Sequence, residues 1–388
     1  MFLDTLLARN PALVAAATAL HHRGDIPPDT YVMDLDAVES NAALLAAEAD
    51  RLGLTLWFVV KQLGRNPELI RAIARHIPRY AAIDAPEARL LSACGARPGN
   101  LGHLVQIPRR ALPALLAERP TAVTVYDLAG ARAVADAAAR TGRTQDILVR
   151  LEGAPGAGYP GQEGGVPLTA LPGFATAAGR LSGIRLAGVT AFPCLLADPA
   201  AGVLRPTPNL ALAVAARETL YGLGHRDLLL SAPSVSCMAA LPLLAAAGAT
   251  HAEPGHALTG TTPLHAADPH QPERPAYVYV TEVAHTLADG RPALFGGGFY
   301  PRARIDSALL PRTGTRLPVA DAPPEHIDYH RLLAAPADPS TVRAGDTALL
   351  CFRTQIFVTR STVAVVRGLS TGRGPRLTGL YDSRGRPL

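Results

Sequence analysis

From about Asp29 to Gly260 the chain alternates short apolar or β-branched runs with longer Ala-, Leu- and Arg-rich stretches of helical period, the signature of repeated βα units. The runs TYVMDL, LTLWFVV, YAAID, LGHLVQI, AVTVYD, DILVRLE, LAGVTAF, DLLLSA and ATHAEPG predict strands. Between them, AVESNAALLAAEADRLG and NPELIRAIARHI predict helices, the second opening on an Asn-Pro start signal. Eight or so such units predict a (β/α)8 TIM barrel over residues 29–267, with a doubly wound sheet as the alternative. Residues 1–28 predict an N-terminal helical segment. The pattern changes near Asp268, where ADPHQPERPA forms a Pro-rich polar link. Beyond it AYVYVTEVAH, TALLCFRTQIFV and TVAVVRG alternate as strands do, so residues 268–388 predict a C-terminal β-rich domain. Within that domain Pro318 to Asp338 predicts a long surface loop, and LSTGRGPR a turn or loose segment.

Composition narrows the picture. At 48% hydrophobic residues there is ample core, and no apolar run is long and uninterrupted enough to span a bilayer. MFLDTLLARNPALVAAATALHHRGD carries Asp4 and Arg9 within an amphipathic pattern, unlike a signal peptide, so a cytoplasmic protein without a membrane partner is expected. Cys94, Cys194, Cys237 and Cys351 are scattered with no CxxC pair, which argues for neither a disulfide framework nor a zinc site. The net charge of +5 is carried by dispersed arginines. With aromatics at only 5%, no basic stripe interleaved with stacking rings is present, so a small anionic ligand explains the excess better than nucleic acid does.

One count changes the reading more than any other. Of 37 Lys+Arg, 36 are arginine, and Lys61 is the only lysine. Arginine stays protonated, whereas a lysine in a desolvated pocket can lose its proton and form an imine. Lys61 closes the apolar run LTLWFVV at a strand's carboxyl end, where barrel chemistry is placed. A Schiff-base role follows. Near the last strand HAEPGHALTG offers Glu253 and Gly255, and LLLSAPSVSCM offers Ser234 and Ser236. Taken alone, a Ser-Gly loop is a plain turn; beside Lys61, serine hydroxyls and outward N–H groups suit a phosphate.

These segments resemble the fold-type-III pyridoxal 5′-phosphate (PLP) enzymes, which include alanine racemase, the basic-amino-acid decarboxylases, and D-threonine aldolase with D-serine dehydratase. DLDAVESNAALL, VVK, SAPSVS and EPGHALTG fall in the order and spacing of that group. Within it the chain most resembles the YhfX branch, an alanine-racemase-like group, in FGGGFYPR and CFRTQIFVTRS. The resemblance implies PLP as cofactor, held by Lys61, with phosphate binding by Gly255 and the His256 backbone alongside Ser234 and Ser236. It places Glu253, where alanine racemases carry arginine, at the pyridine nitrogen, and Phe192, where they carry histidine, against the ring face. The racemases' catalytic tyrosine is matched by glycine in FGGGFYPR, which leaves Tyr300 as first candidate for the second acid/base, with Cys351 and His285 behind it. Arg353 and Gln355, at alternate positions of an expected strand, and Arg150, closing DILVRLEG, are candidates for a substrate carboxylate, with Gln162 in the following loop. The zinc-dependent members' His-x-Cys pair is replaced by Phe352 and Thr354, so no metal is expected.

The implied activity is formation of an external aldimine with an amino acid or derivative and removal of its Cα proton, giving a racemase or epimerase. A decarboxylase or lyase of the same fold is the alternative, since Glu253 is a decarboxylase-like choice. A PLP carrier or regulatory protein is the reading outside enzymes. Two-domain members complete the active site with the partner's second domain, which implies a homodimer.

Overall fold

The computed structural model describes residues 1–154, 156–198, 201–370 and 374–388. The described chain forms two compact units, one of Ala42–Val59 and Ile73–Ala257, the other of Met1–Asn41, Val60–Ala72 and Leu258–Leu388.

The first unit is the barrel. Its eight parallel strands run in the order Thr55–Leu56, His251–Ala252, Leu229–Ser231, Ile184–Thr190, Gln145–Arg150, Ala122–Val125, Arg97–Leu101 and Arg79–Ala82. A parallel bridge between Phe58 and Tyr80 joins the ends of this order, with Phe58 N donating to Arg79 O and Ala81 N to Phe58 O, each at 3.0 Å. The interior is one large ring set among small neighbours. Trp57 is fully buried with Val59, Ala81, Ala122 and Leu148, with Leu229 packed against them. A methyl added at Gly99 would stand 2.3 Å from Trp57 Cδ1, so the indole uses the room that side chains on the facing strands give up. Local chemistry sets the helix starts: Asp84 Oδ1 accepts from Glu87 N at 2.7 Å, and Asp127 Oδ1 from Gly130 N at 2.6 Å.

The second unit contains a nine-stranded sheet whose main order is Thr315–Pro318, Ser307–Leu310, Thr347–Leu350, Tyr277–Thr286, Thr30–Asp34, Thr362–Arg367 and Arg376–Asp382, with Pro292–Phe295 paired to Tyr277–Thr286 and His330–Leu332 paired to Pro292–Phe295. Residues Phe2–Arg9 and Pro11–His22 are helices, and Asn10 Oδ1 caps the second by accepting from Leu13 N at 3.3 Å.

Four expectations are corrected. TYVMD is a strand, but it pairs antiparallel with Tyr277–Thr286 and parallel with Thr362–Arg367 rather than in the barrel, so the units do not follow the contiguous segments 1–28, 29–267 and 268–388. All five of its residues are buried, and a strand covered on both faces has the same apolar pattern in either sheet. The strand expected at LGHLVQI is instead Arg97–Leu101; Gly102, at φ 82°, turns the chain out and leaves His103 to Ile107 as loop. The loop expected from Pro318 to Asp338 contains the strand His330–Leu332. In TALLCFRTQIFV the strand ends at Leu350, and Ile356–Val358 is a one-turn 3₁₀ helix, so Arg353 and Gln355 do not share a strand face. The turn expected at LSTGRGPR includes Thr371 to Arg373, which lie outside the described residues.

Candidate active site

The carboxyl ends of the barrel strands carry polar side chains that converge on Glu253, which follows His251–Ala252 and is 5% exposed. Its Oε1 accepts from Ser231 Oγ at 3.1 Å and Asn100 Nδ2 at 3.3 Å. Thr124 Oγ1 donates to Asn100 Oδ1 at 2.8 Å, which turns the amide so that its NH2 faces the carboxylate. Glu253 Oε2 lies 2.5 Å from His103 Nδ1. Burial alone would raise the Glu253 carboxyl; the charge and hydrogen bond of His103, with the hydrogen bonds of Asn100 and Ser231, outweigh it and hold the group below its usual range. Glu253 is therefore an ionised carboxylate in a dry setting.

The neighbouring candidates fall around this group. Phe192 meets the His103 ring edge-on at 5.7 Å between centroids and lies tilted to the Tyr159 ring at 5.9 Å. Buried Arg150 donates from Nε to Gly164 O at 3.0 Å, from Nη1 to His103 O at 3.4 Å and from Nη2 to Gln162 O at 2.5 Å, and its guanidinium lies 5.0 Å above the Tyr126 ring. Two of these bonds organise the YPGQEGG loop and the third holds the backbone at His103. Gly165 in that loop sits at φ 141°, where an added Cβ would stand 2.7 Å from Arg150 O and Glu152 N, so only glycine lets the loop lie against the strand.

On the preceding loop Ser234 and Val235 both have positive φ, 103° and 47°, which is costly for a side-chain-bearing residue, above all β-branched Val235. Such a turn directs successive N–H groups outward, the concave arrangement that takes an anion. Ser234 Oγ donates to Leu195 O at 2.9 Å, and Ser236 Oγ accepts from Glu253 N at 3.1 Å, which ties this loop to the Glu253 strand. Gly255 precedes the one-turn helix that His256 opens. A buried ionised carboxylate, a strained nest and serine hydroxyls at the same end of one barrel fit a ligand with a protonated ring nitrogen and a phosphate, as PLP has.

The remaining candidates belong to the second unit. Lys61 opens the 3₁₀ turn Lys61–Leu63 and is half-buried. It follows by two residues Val59, whose N donates to Pro254 O at 2.9 Å. Tyr300 is 40% exposed, and its carbonyl accepts from Thr354 Oγ1 at 2.9 Å. Cys351 is buried, its Sγ 3.7 Å from Tyr277 O, and burial pushes the thiol up to about 12, so it keeps its proton at neutral pH. His285 is exposed, its ring 4.9 Å from that of His330. Arg353 Nη1 donates to Arg302 O at 3.4 Å. Sequence reasoning missed His103, Asn100 and Ser231. The first was hidden by reading LGHLVQI as a strand; the others stand at or next to strand ends, where polarity was the available signal.

A parallel barrel with this polar set at its carboxyl ends, together with a β-rich unit, defines a fold-type-III PLP enzyme. Residues 33–263 match the family described as alanine racemase, N-terminal domain, and residues 278–376 match the YhfX-like C-terminal domain. The chain is 40% identical over 395 residues, covering 100% of each protein, to the uncharacterized protein YhfX of Escherichia coli strain K12. The chain belongs to the alanine racemase-like family, in its YhfX branch, and PLP is its cofactor. Solved structures of like fold include D-threonine aldolase from Filomicrobium marinum, with TM-score 0.67, 18% identity and coverage of 92% of this chain and 95% of that one. D-threo-3-hydroxyaspartate dehydratase from Delftia sp. HT23 gives TM-score 0.66, 19% identity, and 90% and 96% coverage. Alanine racemase from Corynebacterium glutamicum gives 0.61, 18%, and 84% and 89%. Among the described residues no helix is long and apolar enough to cross a membrane.

Proposed function

We propose that the chain is an amino-acid racemase or epimerase in which Lys61 holds PLP and moves the proton at the substrate Cα. The observation that carries this reading is the buried Glu253 carboxylate at the barrel's carboxyl end, with His103 Nδ1 2.5 Å from its Oε2. Bound PLP supplies an aldehyde that condenses with an amine and a ring that draws an electron pair from Cα when its nitrogen is protonated. Glu253 gives that proton a charged partner in a low dielectric, whereas an arginine there would repel it. Ser234, Ser236, Gly255 and the His256 N–H take the phosphate, and Phe192 covers a ring face. The Lys61 amine, which can lose its proton, accepts the one from Cα; Tyr300 or Cys351 returns a proton on the opposite face. Arg150, Arg353 and Gln162 hold the substrate carboxylate, and the working form is a homodimer.

A second reading, a lyase that breaks a bond at Cα or Cβ, is favoured by the glycines of FGGGFYPR. A Cβ at Gly297 would stand 2.1 Å from Asp29 Oδ2, and one at Gly298 would stand 2.4 Å from Tyr279 Cε2, so neither of these two glycine positions has room for an acid/base side chain. Incubation of candidate amino acids with the PLP-loaded enzyme in deuterated water separates the two. Deuterium at Cα in both enantiomers, without release of ammonia, aldehyde or carbon dioxide, is the expected result; release of any of these replaces the racemase reading with the lyase one.

A further inference from the structure

Glu253 has four lone-pair positions to offer. Two on Oε1 are taken by Ser231 and Asn100, and one on Oε2 by His103. Oε2 lies 2.5 Å from His103 Nδ1 and takes no hydrogen bond from any other described residue. A ring nitrogen that reaches this carboxylate therefore meets the oxygen that His103 already holds. We propose that His103 is a positioning residue that shares Oε2 of Glu253 with the cofactor's ring nitrogen, and so sets how firmly Glu253 retains the ring proton. The proposal rests on the reading of Glu253 given above and goes beyond it by making the electron sink adjustable from a residue outside the cofactor's own contacts.

The setting of His103 supports this. The residue is 5% exposed, so its donor cannot exchange Glu253 for water at low cost. Its carbonyl is held by Arg150 Nη1 and by Tyr126 OH, each at 3.4 Å, which fixes the loop backbone, and its ring meets Phe192 edge-on. The charged or titratable groups facing the pair are Arg150 and Tyr126 on the His103 side, and His251 and Cys194 on the Glu253 side. Burial lowers His251 to about 4 and raises Cys194, so both stay neutral near pH 7. Two donors on one acceptor oxygen weaken each other, because each withdraws the electron density that the other uses. Loss of the His103 N–H should leave Glu253 the stronger base toward the ring.

The test loads PLP labelled with ¹⁵N in the ring onto wild-type, His103→Phe and Glu253→Gln proteins and follows the ring-nitrogen chemical shift against pH. His103→Phe is expected to hold the ring proton about tenfold more firmly, moving the midpoint up by about one pH value. Glu253→Gln is expected to lose the proton at much lower pH. A His103→Phe midpoint equal to wild type, with Glu253→Gln displaced, overturns this proposal alone; a Glu253→Gln midpoint equal to wild type overturns the reading of Glu253 itself. A second measurement needs no variant. The His103 Nδ1 proton resonance of the wild-type protein is recorded without cofactor, with PLP, and with the analogue bearing carbon in place of the ring nitrogen. PLP alone is expected to shift it; equal shifts with both ligands, or with neither, contradict the shared oxygen.

Discussion

Asp29 stands where the second unit stores an ionisation cost. Its Oδ1 accepts from Tyr279 OH at 2.6 Å and its Oδ2 lies against the Gly297 backbone, while Asp328 adds a like charge. Burial, offset in part by the Tyr279 hydrogen bond, raises the carboxyl from 3.8 to about 7. A carboxyl raised by folding binds its proton more firmly in the native than in the unfolded chain. Between those two values the native state carries the extra proton, so stability falls as pH rises. Integrated from about pH 5 to about pH 8, the loss is about 2–3 kcal/mol, from ~1.4 kcal/mol for each tenfold change in proton affinity. Asp29→Asn keeps an acceptor for Tyr279 and removes the titration. Urea unfolding of both proteins at a series of pH values isolates the effect, because every other group cancels in the difference. The variant is expected to be near the wild type at pH 5 and more stable by about 2–3 kcal/mol at pH 8. A difference that stays flat, or that favours the wild type increasingly as pH rises, would refute the reasoning.

Other outcomes follow from the same geometry. Trp57→Ala empties the barrel centre and is expected to cost about 3–5 kcal/mol in urea unfolding. Gly99→Ala, with its methyl forced toward Trp57 Cδ1, is expected to cost about 1–3 kcal/mol by overpacking. Gly165→Ala clashes with the backbone of Arg150 and Glu152 and should loosen the YPGQEGG loop, seen as faster proteolysis there with the barrel intact.

Much of this was legible in the chain. The barrel strands after Lys61 and the β-rich unit show in hydrophobic period, because each barrel strand is flanked by a helix with its own stripe. The pairing of Thr30–Asp34 was not legible, since a strand buried on both faces does not declare its neighbours. Glu253 could be singled out because it precedes Pro254 and Gly255 at a strand end. His103 could not, because its loop has the composition of a strand and only the turn at Gly102 places it beside Glu253. Arg353 looked strand-borne for the converse reason: CFRT continues the apolar alternation after the sheet hydrogen bonds have ended at Leu350.

The central claim is that the one lysine carries the cofactor. Because Lys61 is the only side-chain amine, borohydride reduction of the PLP-loaded protein offers a single lysine to label, the N-terminal amine being the only other primary amine. Peptide mapping by mass spectrometry is predicted to find one phosphopyridoxyl group, on the peptide containing Lys61, and none after Lys61→Ala. No label, or label confined to the N-terminal amine, would contradict the account.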